Sequence, residues 1–78
     1  MTKEELSAEA ARIKENPGAI EALALMRESS MNGLVTADPT DADTIRLHQA
    51  NVRAVDQFFS TLEGIIANGM PKKQAGIA

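Results

Sequence analysis

The side chains that could do chemistry are few and scattered. The chain has one histidine, His48, and no cysteine, which excludes a cysteine nucleophile, a thiolate metal ligand and a disulfide. Ser7, Ser29, Ser30 and Ser60 have only His48 to serve as a base, and none sits in the spacing of a nucleophile elbow. The glycines occur singly, at positions 18, 33, 64, 69 and 76, so no glycine-rich loop is available to cradle a phosphate. Asp38, Asp41 and Asp43, with Thr40 and Thr44, form the one oxygen-rich cluster. It lacks the spacing of an EF-hand, and Asp and Thr are the residues that cap helices, so it reads as a capped loop. No catalytic, cofactor-binding or metal-ligating residue is assigned, no cofactor is expected, and the chain reads as non-enzymatic.

His48 still has an unusual place, because it falls on an apolar stripe where leucine would be neutral. Its plain role is a core-edge imidazole that hydrogen-bonds a backbone carbonyl or Asn51. Its functional role would be a pH-sensitive or partner-contacting group. Arg27, likewise, falls inside an apolar stripe. Asp56 and Glu63, seven residues apart, flank the seam and would pair with Arg27 or Arg12 to set register, with a partner contact as the alternative role. Asp43–Arg46 and Arg53–Asp56 have the i, i+3 spacing of surface pairs.

The elements that must position these groups are all helical. Thr2 and Glu5 have the spacing of a capping box, predicting a first helix over about 3–15 with Leu6, Ala10 and Ile13 on one face. Asn16-Pro17-Gly18 interrupts it, with Asn16 as the cap of a second helix over about 17–36. Ile20, Leu23, Ala24, Met31 and Leu34 mark its stripe, and Asn32-Gly33 is a weak point where it is expected to fray early. Asp38-Pro39-Thr40-Asp41 is a loop, after which Thr40 or Asp41 caps a third helix over about 41–68. Ile45, His48, Val52, Val55, Phe59, Leu62 and Ile66 step by threes and fours, a heptad seam over three repeats. Asn68-Gly69 and Pro71 end it, leaving 70–78 as a flexible tail beyond a single helical domain over 1–69.

The expected fold is all-α: an antiparallel hairpin of the second and third helices, with the short first helix as a third element. At 1.5 Å per residue those two helices span roughly 30 and 42 Å. Pairing outward from the loop puts Val35 on Ile45, Met31 on His48, Ala24 on Val55 and Ile20 on Phe59. The longer helix then outruns its partner at Leu62, Ile65 and Ile66, where the first helix has the length to cover it. The sequence leaves open whether that helix continues past Pro17 as a kinked extension or folds back.

Composition limits what such a fold can bury. The chain has 78 residues and is 44% hydrophobic, but 13 of its apolar residues are alanine and the only aromatics are Phe58 and Phe59. A chain this small, with no disulfide, needs well-packed helices, self-association or a partner. A second apolar stripe suits the last two. Leu47, Ala54, Phe58 and Ile65 lie beside the main seam, and Leu25 and Met26 lie off the stripe of the second helix. The candidate interface is therefore Leu25, Leu47, His48, Phe58 and Ile65.

Charge sets the kind of partner. Residues 1–68 hold 6 basic and 11 acidic groups, or −5, while Lys72 and Lys73 bring the whole chain to −3. That sign repels a phosphate backbone, and there is no aromatic platform for bases, so direct nucleic-acid binding is disfavoured. The two tail lysines read as solubility, with contact to a phosphate or an acidic protein as the alternative. No apolar run approaches the ~20 residues of a membrane span, and no signal-peptide pattern opens the chain, so no membrane is expected and the expected location is cytoplasmic.

The order of these features carries a resemblance. An acidic amphipathic start, the Asn-Pro-Gly break before AIEALALMRESSMNGLV, the Asp-Pro-Thr-Asp loop and IRLHQANVRAVDQFFSTLEGIIANG resemble small helical-hairpin proteins encoded among the head and packaging genes of tailed bacteriophages. The resemblance covers roughly residues 16–69 and carries no site residue across. It implies a structural or assembly protein acting through protein–protein contacts, with itself (as a dimer or higher assembly) or with a larger phage or host protein, in the host cytoplasm or the virion. An acidic regulator that binds and inhibits a host protein is the alternative.

Overall fold

The computed structural model describes residues 1–69, and the tail over 70–78 lies outside the described residues. Three helices account for nearly all of them: α1 Lys3–Glu15, α2 Pro17–Thr36 and α3 Ala42–Gly69. Each begins on a local device written in the sequence. Thr2 accepts from the Glu5 N–H while the Glu5 side chain accepts from the Thr2 N–H, the reciprocal capping box. Asn16 leaves the helical region, and its side chain accepts from the Ala19 N–H at 3.1 Å with Pro17 at the first position of α2. Asp41 accepts from the Thr44 N–H at 3.1 Å and caps α3, whose helix runs 42–69, one residue later than expected.

The core runs along α3. All seven seam positions expected there are buried or half-buried, with Val55 and Leu62 the most enclosed. The α1–α3 contact is intimate. Ala10 and Ser7 are buried, and Ser7 Oγ donates to the Ile66 carbonyl at 3.1 Å. A side chain on Gly69 would run into Ser7 and lie 2.5 Å from the Lys3 carbonyl oxygen. Contacts along α3 follow one order without reversal. Lys3 and Ser7 meet Gly69 and Ile66, Lys14 meets Glu63, Arg27 meets Asp56, and Gly33 meets His48.

Several expected faces are rotated by about one residue. On α1, Leu6 and Ile13 are exposed, and the buried line is Ser7 and Ala10. On α2, Ile20, Leu23 and Leu34 are half-buried as the stripe expects, whereas Ala24 and Met31 are exposed and Val35 is 82% exposed, so the residues expected to meet Val55, His48 and Ile45 are not enclosed there. Ser30 is buried and Gly33 faces His48 in their stead. Small residues win these positions because they let two helix backbones approach, which a search for large apolar side chains cannot register. The fraying expected at Asn32-Gly33 does not occur: α2 continues to Thr36, whose hydroxyl donates to the Asn32 carbonyl at 3.0 Å.

Candidate binding groove

The oxygen-rich loop has its ligands within itself. Asp38 Oδ1 accepts from the Thr40 N–H at 2.8 Å and from its hydroxyl at 2.7 Å, and Asp41 Oδ2 accepts from the Thr44 hydroxyl at 2.7 Å. The threonine hydroxyls, and then the backbone N–H groups, hold both carboxyls below the ordinary aspartate value. Among the described residues, no group of three or more His, Asp or Glu side chains is placed to hold a metal ion.

His48 is half-buried, and its ring lies where a side chain on residue 33 would begin. The expected hydrogen bond to a backbone carbonyl or to Asn51 is not made at Nδ1, which is buried without a partner. Stacking the flat ring on the bare α2 backbone takes the imidazole out of reach of such acceptors. It also places the ring inside the helix interface, so His48 belongs to the packing and not to the open surface.

The charged side chains close one edge of the α2–α3 contact. Arg27 Nε donates to Asp56 Oδ1 at 2.8 Å and Nη2 to Oδ2 at 3.3 Å. That pairing lowers the Asp56 carboxyl through the hydrogen bond from the guanidinium, opposed by partial desolvation and aided by its charge. Glu63 takes Lys14 as its partner, with Nζ at 2.8 Å from both carboxylate oxygens, rather than Arg12 or Arg27. Arg12 pairs with Glu9 within α1, and Arg46 pairs with Asp43 at 3.3 Å. Asp56 is engaged across the helices, so the expected Arg53–Asp56 pair gives way to the better bidentate geometry of Arg27.

The opposite edge of α2–α3 stays open. At about 100° per residue, Phe58 lies some 200° around α3 from Asp56, and Met26 about 100° around α2 from Arg27. Between them is a groove of about 580 Å³ with Leu23, Ser30 and Val55 in its floor and Leu25, Met26 and Phe58 in its walls. Ser29, Asn51 and Ala54 complete it, so no charged residue lines it. The exposure is substantial: Leu25 53%, Met26 57% and Phe58 39%. Phe58 is held edge-to-face against Phe59, with ring centroids 6.0 Å apart, which anchors the groove wall to the internal seam.

The five expected interface residues therefore separate. Leu25 and Phe58 both line the groove. Leu47 is 59% exposed and continues the same side of α3 two turns beyond Ala54, outside the groove itself. Ile65 is half-buried on that side, two turns beyond Phe58, and His48 is turned inward. Ser29 and Asn51 were missed because neither is apolar, although both fall at helical spacing from the residues that were found.

No helix among the described residues is long and apolar enough to cross a membrane. Comparison with protein families, with curated proteins and with solved structures finds no match to this chain.

Proposed function

We propose that this chain is a non-enzymatic helical protein that works by docking on other protein surfaces through the open edge between α2 and α3, as a structural or assembly component of a tailed phage, in the host cytoplasm or the virion. The observation that carries the reading is the groove itself: large apolar side chains more than a third exposed, gathered from two helices, with no charged residue among them. Keeping such a surface in water is unfavourable by about 25 cal/mol per Å², and patches of this kind mark interfaces. The contact order supports an antiparallel hairpin in which α1 and α2 form one arm, broken at Asn16, laid along α3.

The phage assignment rests on the sequence pattern and is tested by purifying the particles and head precursors made by the genome that encodes the chain. The expected result is its presence at a fixed ratio, lost on Phe58→Ser. Absence from every particle and precursor would overturn the reading. The acid excess over residues 1–68 favours one other reading, an inhibitor of a host protein. Recovery of one host enzyme at a fixed ratio, with no particle association, would establish it instead.

A further inference from the structure

We propose that the open α2–α3 edge is covered by a second copy of this chain, so that two hairpins join into a helical bundle whose second core is built from both grooves. The proposal rests on the protein-contact reading above and names its partner.

Three observations select a second copy. The first is a repeat on the exposed side of α3. Leu47, Asn51, Ala54, Phe58, Thr61 and Ile65 step by 4, 3, 4, 3, 4, a heptad stripe parallel to the internal seam. Every member except Ile65 is exposed, whereas every member of the internal seam is buried or half-buried. The chain thus carries a groove bounded on α3 by Asn51, Ala54 and Phe58 and, running past it at both ends on the same face, an exposed ridge able to enter the groove of a second copy. A two-fold contact between identical surfaces requires that self-complementarity. Asn51, polar within an apolar stripe, is the kind of residue that fixes register between paired helices.

The second is where the charges lie. Past its first turn, α3 carries Arg46, Arg53, Asp56 and Glu63, spaced by 7, 3 and 7 and so confined to the side away from the stripe. The stripe holds no charged residue, so two copies can approach there without burying an unpaired charge or meeting like charges at close range. Asp43, four residues before Leu47 in the first turn of α3, is the one acidic group that borders the stripe on this helix, and it is paired with Arg46.

The third is area. Leu25, Met26, Leu47 and Phe58 at roughly half exposure offer on the order of 400 Å² of side-chain surface. A standard interface buries about 800 Å² per partner, of which these four side chains supply about half, and Asn51, Ala54 and Thr61 extend the face along roughly 27 Å of α3. The single chain also needs it. Its buried hydrophobic residues among those described are only Ala10, Val55 and Leu62, and none of their side chains is wholly enclosed.

The chain has no native cysteine, so single-cysteine variants of the full chain give a clean test. Ala54→Cys lies on the stripe and Gln49→Cys on the charged side of α3. With a short bis-maleimide, Ala54→Cys should yield a covalent dimer and Gln49→Cys should not. Leu47→Glu, at an exposed position outside the groove, leaves the monomer fold in place and should raise the dimer dissociation constant at least tenfold. Equal linkage at both cysteines, or a monomeric wild type at tens of micromolar, would overturn the proposal. A monomer that still enters phage particles would overturn only the second copy, whereas a dimer absent from particles would overturn only the assembly role.

Discussion

The imidazole of His48 occupies the space that a side chain on residue 33 would need, so Gly33 and His48 form one packing unit between α2 and α3. Glycine inside a helix costs about 1 kcal/mol relative to alanine, and here that cost makes room for the ring. Gly64 is the contrast, because a methyl group there would meet nothing within 4 Å. Gly64→Ala should therefore stabilise the chain by about 0.5–1 kcal/mol, whereas Gly33→Ala should destabilise it by about 1–3 kcal/mol through overpacking. Chemical denaturation of the two variants checks this. Equal effects of the same sign would show that the His48 ring moves aside freely.

His48→Leu separates packing from polarity. Nδ1 is buried without a partner, so the wild type carries an unsatisfied nitrogen that leucine removes. The variant should be neutral or more stable. A loss of more than about 2 kcal/mol would mean that the flat ring on Gly33 is needed for its shape.

Acid should loosen the helix ends and the α2–α3 edge before it affects the apolar seam. Four carboxyls are held below their ordinary values: Glu5 by the Thr2 N–H, Asp38 by the Thr40 hydroxyl, Asp41 by the Thr44 hydroxyl and Asp56 by Arg27. A lowered folded value means that stabilisation is complete above the unfolded values, 3.8 for Asp and 4.5 for Glu, and is lost as pH falls through the folded ones. Thermal melts followed by circular dichroism should show a falling midpoint between about pH 5 and pH 2. Asp41→Asn should flatten part of that fall, and a midpoint that rises on acidification would contradict the assignment.

What the sequence disclosed follows from how local each signal is. Thr2, Asn16 and Asp41 cap their helices through bonds to residues three positions on, so the helix limits could be read to within a residue. The α3 seam could be read because large apolar side chains fill it. The faces of α1 and α2 were legible only in part, at Ala10, Ile20, Leu23 and Leu34, because Ser7, Ser30 and Gly33 sit at the other contact points and small residues leave no mark on a hydrophobic pattern. Leu25, Phe58 and Leu47 were visible as surplus apolar residues. That Leu25 and Phe58 line one groove depended on how α2 sits against α3, whereas the inward place of His48 already followed from its position on the seam.

The most direct test of the central claim, that the open α2–α3 edge is a contact surface which a second copy covers, is sedimentation of wild type, Phe58→Ser and Phe59→Leu at one concentration. The account predicts a dimer or higher assembly for wild type, dissociation for the folded Phe58→Ser chain, and retained association for Phe59→Leu, whose side chain lies in the internal seam. A monomeric wild type, or a Phe58→Ser chain that associates as wild type does, would contradict it.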